Sequence, residues 1–241
     1  QSNLYKCFLP QAWSIGTDQS VSGFLHPEGV YDDPNGGKLR EEIYRRLRYH
    51  FQFQNELRLF GDVHHETKFS VNIYSTLDMD RVQFSHLANL FSVATVDVCF
   101  QHAGSSPVGG IKDDQNNWNL AGHKDRIVEV DTAALDLFAS LYDEKGTPAL
   151  HARLPAVHSS QIVEVLRKFA AHPKRLGELE GEFHFTEMWH ETNAQKDGTI
   201  KRMTKFAGTQ ENWILSGPHF YVGKPLHQTP KAICETHRAY D

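Results

Sequence analysis

Few residues in this 241-residue chain are spaced for catalysis. Glu187-Met188-Trp189-His190 has the Glu-x-x-His spacing that sets two metal ligands on one helix face. A di-iron carboxylate site needs that motif twice in a four-helix pattern; here it occurs once, without the pattern. His64 and His65 are adjacent, so on a strand their rings face opposite ways and do not easily share an ion. Asp33 or Asp62, followed by Glu66-Thr67-Lys68, loosely matches a metal-dependent nuclease, in which two carboxylates hold Mg²⁺ and the lysine steadies the transition state. No Gly-x-Ser-x-Gly elbow presents a serine nucleophile. Gly36-Gly37 and Gly109-Gly110 are lone pairs, not a Gly-x-Gly-x-x-Gly fingerprint. Cys7, Cys99 and Cys234 lie far apart with no Cys-x-x-Cys pair, which argues against a structural zinc site and suits a reducing cytoplasm.

Side chains suited to nucleic acid are better represented. Gly104–His123 is a long irregular segment with Lys112, Gln115, Asn116, Asn117, Asn119 and His123, and Trp118 within it argues for order. Gln195–Gly198 predicts a hairpin turn carrying Lys196, Lys201, Arg202 and Lys205. From Lys196 to Asp241 there are seven basic residues against four acidic ones. The formal net charge of −5 counts against DNA binding and favours an interaction module without a nucleic-acid role.

The elements that must position these groups read as mixed α/β. Phe24 and Leu25 end a short strand closed by His26-Pro27, and Asp32–Gly37 is turn chemistry. Leu39, Ile43 and Leu47 recur every four residues and predict a basic helix over Lys38–Arg48. Phe51–Leu57 and Phe69–Tyr74 alternate as half-buried strands, joined by an irregular ten-residue connection. Asp80–Leu90 is expected as a helix and Val93–Phe100 as a strand. Arg126–Val130 follows as a strand, then helices over Thr132–Tyr142 and Ser160–Ala171. Phe183–Glu191 reads as a strand or short helix, and Trp213–Val222 as a strand. Hydrophobic content of 39% supports a core, and no apolar run nears the ~18 residues of a membrane span.

Several phrases resemble one family: GFLHPEG (Gly23–Gly29), HFQFQNELRLF (His50–Phe60), FSVNIY (Phe69–Tyr74), GIKDDQNNWNLAGHKDRIVEV (Gly110–Val130), TEMWHETNAQKDGTIKR (Thr186–Arg202) and WILSGPHFYVGKPLHQTP (Trp213–Pro230). Together they resemble the C-terminal portion of large bacterial adenine-specific DNA methyltransferases of restriction–modification systems, the type IIG-like enzymes. The resemblance implies that residues 1–78 are the C-terminal part of a Rossmann-like methyltransferase sheet ending in an antiparallel pair. It implies a mixed target-recognition domain over residues 79–241. The parent enzyme's S-adenosylmethionine loop and Asn-Pro-Pro-Tyr-type motif have no counterpart here, so no catalytic residue is carried over and no cofactor is expected on this fragment. The expected partners are double-stranded DNA, the N-terminal methyltransferase half and a second copy of the fragment through an exposed apolar face, with no membrane. The expected DNA contacts are Lys112, Asn117, Trp118, His123, Lys124, Arg126, Lys201, Arg202, Lys205 and Lys224. Asn117 and His123 are expected to read base edges, and Lys201 and Arg202 to meet phosphates. A metal-dependent nuclease and a protein-interaction module stay open as alternatives.

Overall fold

The computed structural model describes residues 3–79, 81–172, 174, 179 and 190–201. The chain divides into a unit spanning Gln1–Arg175 and a second spanning Leu176–Asp241. The first begins with α1 (Tyr5–Ile15), β1 (Val21–Pro27), the single turn α2 (Gly29–Asp32), α3 (Gly37–Arg46) and β2 (Leu47–Gln54). It continues through β3 (Lys68–Ser75), β4 (Gln83–Leu90), α4 (Ala94–Gln101), β5 (Val128–Asp131), α5 (Thr132–Tyr142) and α6 (Ser160–Ala170). In the second unit, α7 covers Glu191–Lys196.

The five strands form one mixed sheet in the order β1-β3-β2-β4-β5. β3 enters between β1 and β2 and is antiparallel to both, so those two strands run the same way. β2 pairs in parallel with β4, and β5 closes the far edge antiparallel to β4. The strands before and after residue 78 therefore share a single sheet, and the first compact unit extends to Arg175.

Two apolar clusters lie on opposite faces. The larger joins Leu9 and Trp13 of α1, Ile43 and Tyr44 of α3, Phe84, Val130 and the inward stripe of α5. The smaller joins Phe53, Phe69, Leu87, Leu90 and Cys99. Arg40 fastens the first layer. Its buried guanidinium donates to the carbonyls of His151 at 2.8 Å, Val30 at 3.2 Å and Asp33 at 2.5 Å. Tyr44 adds a 2.7 Å bond to the Ala152 carbonyl.

Two expected elements are exchanged. Gln83–Leu90 is a strand, not part of a helix, and Asp80 lies outside the described residues. Asn89 takes a left-handed φ of 55°, and the register slips between Phe51↔Leu87 and Phe53↔Leu90. That bulge breaks the alternation and leaves Leu87 and Leu90 at a helix-like spacing. Ala94–Gln101 is a helix, although Val93–Phe100 is rich in β-branched residues; Val96 and Cys99 are held against the second apolar cluster, and packing overrides propensity. α1 has no counterpart in the sequence reading, which Pro10 within it explains. The hairpin expected at Gln195–Gly198 is the C-terminal end of α7, closed by Gly198 at φ 80°. Most of Phe183–Glu191 and all of Trp213–Val222 lie outside the described residues.

Candidate nucleic-acid interface

The segment Gly104–His123 is an ordered loop pinned at several points. At its tip, Asp113 accepts from the backbone N–H groups of Gln115 (3.0 Å) and Asn117 (2.8 Å), an Asx turn in which Asn116 takes φ 65°. Lys112 and Trp118 pair across this small hairpin. The Trp118 ring stacks on buried Phe91 at 4.5 Å, and the Lys112 ammonium lies 4.4 Å from the centre of the same ring. Asn119 donates to the Gly110 carbonyl at 2.8 Å, and His158 reaches the Gly109 carbonyl at 3.0 Å. The return strand presses on α4. Thr95 donates to the Leu120 carbonyl at 2.8 Å, and a Cβ on Gly122 would sit 2.6 Å from Val98 Cβ and 2.7 Å from the Cys99 nitrogen.

The expected DNA contacts separate into three groups. Lys112, Asn117 and Trp118 share one hairpin, with Lys112 and Asn117 exposed, and exposed Lys124 follows on the loop's return. Lys201 is exposed in the second unit, while Arg202, Lys205 and Lys224 lie outside the described residues. His123 and Arg126 are buried and committed elsewhere. His123 donates from Nε2 to the Ser106 carbonyl at 2.6 Å and accepts at Nδ1 from the Asp125 N–H at 3.0 Å, so neither ring nitrogen is left for a base edge. Arg126 donates to the carbonyls of Ala88 (3.0 Å), Asn89 (3.1 Å) and Ala121 (3.1 Å). It is a bolt through the β4 bulge, not a surface cation.

The nuclease grouping is not assembled. Asp33 is paired to Lys6 at 2.7 Å, and Asp62 and Glu66 are exposed on the β2–β3 connection. Among the described residues no three His, Cys, Asp or Glu side chains converge on a metal position. At the Gly36-Gly37 entry to α3, a Cβ on Gly37 would meet the His151 ring at 2.9 Å. The adjoining cavity of about 540 Å³ is lined by Lys38, Arg40 and Arg153 together with Asp143, Glu144 and His151. Among the described residues no helix is long and apolar enough to cross a membrane.

A second polar constellation escaped the sequence reading. On the helix-covered face of the sheet, beside the larger apolar cluster, lies a run of polar side chains: His26 on β1, Ser70 and Asn72 on β3, His50 and Gln52 on β2, His86 on β4, all buried. Glu28, at the end of β1, sits over them. Its carboxylate accepts from His50 Nε2 at 3.2 Å and from Gln52 Nε2 at 2.9 Å. Burial alone would raise its pKa; His50, Ser70 and Gln52 outweigh burial and hold it at about 2. His50 and His86 meet Nδ1 to Nδ1 at 2.8 Å, so one proton lies between them. Burial, and next the neighbouring His50, push His86 down to about 3. Its Nε2 makes no hydrogen bond of ordinary geometry. Beside this chain, Tyr31 donates to Asn72 at 2.6 Å, and His26 bonds the Tyr74 hydroxyl at 3.1 Å. With every member buried, the network ties β1, β2, β3 and β4 together through side chains. The signal was present in HFQFQ and FSVNIY, whose polar members share one face.

The chain matches no family model, no curated protein and no solved structure.

Proposed function

We propose that this chain is a non-catalytic part of an S-adenosylmethionine-dependent, adenine-specific DNA methyltransferase of a restriction–modification system, and that it contributes DNA target recognition. The observation that carries the proposal is the strand order β1-β3-β2, in which β3 returns antiparallel between two strands running the same way. That order suits the closing strands of a Rossmann-like methyltransferase sheet ending in antiparallel pairing, the role that the resemblance implies for Gly23–Tyr74. S-adenosylmethionine and the flipped adenine then belong to the N-terminal catalytic half. Extruding the base leaves the neighbouring base pairs to be read by other elements. The Gly104–His123 loop supports that second role: it presents Lys112 and Asn117 from a hairpin fixed by Trp118 on Phe91, with exposed Lys124 directly after it.

The test is fluorescence anisotropy with two unrelated duplexes at several salt concentrations. Lys112→Ala with Lys124→Ala should weaken binding about equally on both duplexes and lower the salt slope by roughly one unit per lost phosphate contact. Asn117→Ala should instead change the preferred sequence. Parent-like binding by the double variant at every salt concentration would remove this hairpin from the DNA face. Salt-independent binding, or none, by the parent chain would favour an interaction module.

A further inference from the structure

The face of the sheet opposite the buried polar network is formed into a groove of about 320 Å³. Leu25, Phe51 and Val71 make its floor, Val96 and Asp97 of α4 one flank, and Leu59-Phe60 of the β2–β3 connection another. Leu25 is 56% exposed, Val93 beside it 62% and Phe60 41%, a continuous apolar surface of the kind that marks a partner site.

Three observations specify the occupant. α4 is held against the Phe53–Phe69–Leu87–Leu90 cluster, while Leu25 on β1 stays 56% exposed. Two strand spacings are roughly 10 Å, the width of one helix. The flanking connection has a fixed backbone. The buried Asn55 side chain donates to the carbonyls of Phe60 (2.9 Å) and Val63 (2.8 Å) and accepts from the Phe60 N–H (2.9 Å), and the Phe60 ring packs edge-on against Phe69 at 5.1 Å, so this flank is a set wall of the groove. Finally, Asp97 is the charged residue of the lining, exposed and in no salt bridge with any described residue. We propose that this groove docks one amphipathic helix of a partner, its apolar stripe on Leu25, Phe51 and Val71 and a Lys or Arg on its edge against Asp97. Self-docking through α4 is disfavoured, since seating one α4 in the other copy's groove would bring two Asp97 carboxylates together. The proposal does not depend on DNA binding.

The probe is a fluorescein-labelled amphipathic Leu/Lys peptide of about 14 residues, roughly 21 Å of helix, compared with its Leu/Glu counterpart and titrated with the full 241-residue chain. The Leu/Lys peptide should bind. Leu25→Glu and, separately, Val93→Glu, both at exposed positions, should each weaken it about tenfold or more. Asp97→Lys should reverse the preference toward the Leu/Glu peptide. No binding by the parent, unchanged affinity in both glutamate variants, or a preference indifferent to Asp97→Lys would overturn the proposal. Light scattering that shows a dimer dissociated by Leu25→Glu would assign the groove to a second copy and overturn it equally.

Discussion

Acidification should weaken this fold well before its surface carboxylates are titrated, and His86 is the reason. In the native chain His86 is fully buried and is held neutral down to a pKa of about 3. In the unfolded chain the imidazole titrates near 6.5. The native value is the lower one, so the unfolded state takes up the extra proton. The contribution is therefore complete above pH 6.5 and is lost as pH falls toward 3. For one group with these two values, the loss between pH 7 and pH 4 is about 3 kcal/mol. Glu28, held at about 2, acts in the same direction, its stabilisation present above its unfolded value and lost below it; by pH 4 that adds about 1 kcal/mol. The two share a network, so their effects are coupled rather than additive. Urea unfolding followed by tryptophan fluorescence at pH 7, 6, 5 and 4 measures the effect. With a slope near 2 kcal/mol per molar, the midpoint should fall by roughly 1.5 M. His86→Gln should start lower at pH 7 and show a shallower pH dependence. A parent midpoint that does not move between pH 7 and pH 4, or a His86→Gln variant with the parent's slope, refutes the assignment.

Two further outcomes follow from the loop and its supports. Arg126→Ala frees the Ala88, Asn89 and Ala121 carbonyls together and should cost about 3 kcal/mol of stability, read as a lower urea midpoint. Gly122→Ala forces a Cβ into Val98 and the Cys99 backbone and should cost about 1–3 kcal/mol by the same measurement; a neutral result would mean that the return strand can move off α4.

Helices with a clear apolar stripe were legible. Thr132–Tyr142 forms α5 within the expected bounds, and Ser160–Ala170 matches its expectation to within a residue, because local periodicity and burial agree. β4 and α4 were not legible. A left-handed Asn89 and a bulge cannot be read from spacing, and the β-branched run of α4 is overruled by what it packs on. For the candidate site, residue type alone placed Lys112, Asn117 and Lys124 on an exposed loop. It could not separate them from His123 and Arg126, whose neighbours of similar polarity lie in the same stretch but whose side chains turn inward to carbonyls. Alternation showed that two faces exist on β2 and β3, not that the polar one is covered, since the covering groups, Glu28 and Tyr31, come from a segment twenty residues earlier than their partners on β2.

The position of β3 sets an order of events during synthesis. Of the three strands β1 is made first, yet its neighbour among the described residues, β3, is made about 45 residues later, and β2 does not touch it. β1 can therefore join this trio only once β3 has been made, whereas β2 and β3 close a local hairpin. Until then the edge of β1 that β3 will cover is bare, an invitation to pair with other chains. Its composition suits the wait. Gly23 weakens it as an independent strand, and Pro27 removes a donor from its end. Between the completion of β2 and that of β3, the chain therefore holds two neighbouring-in-sequence strands that do not pair with each other.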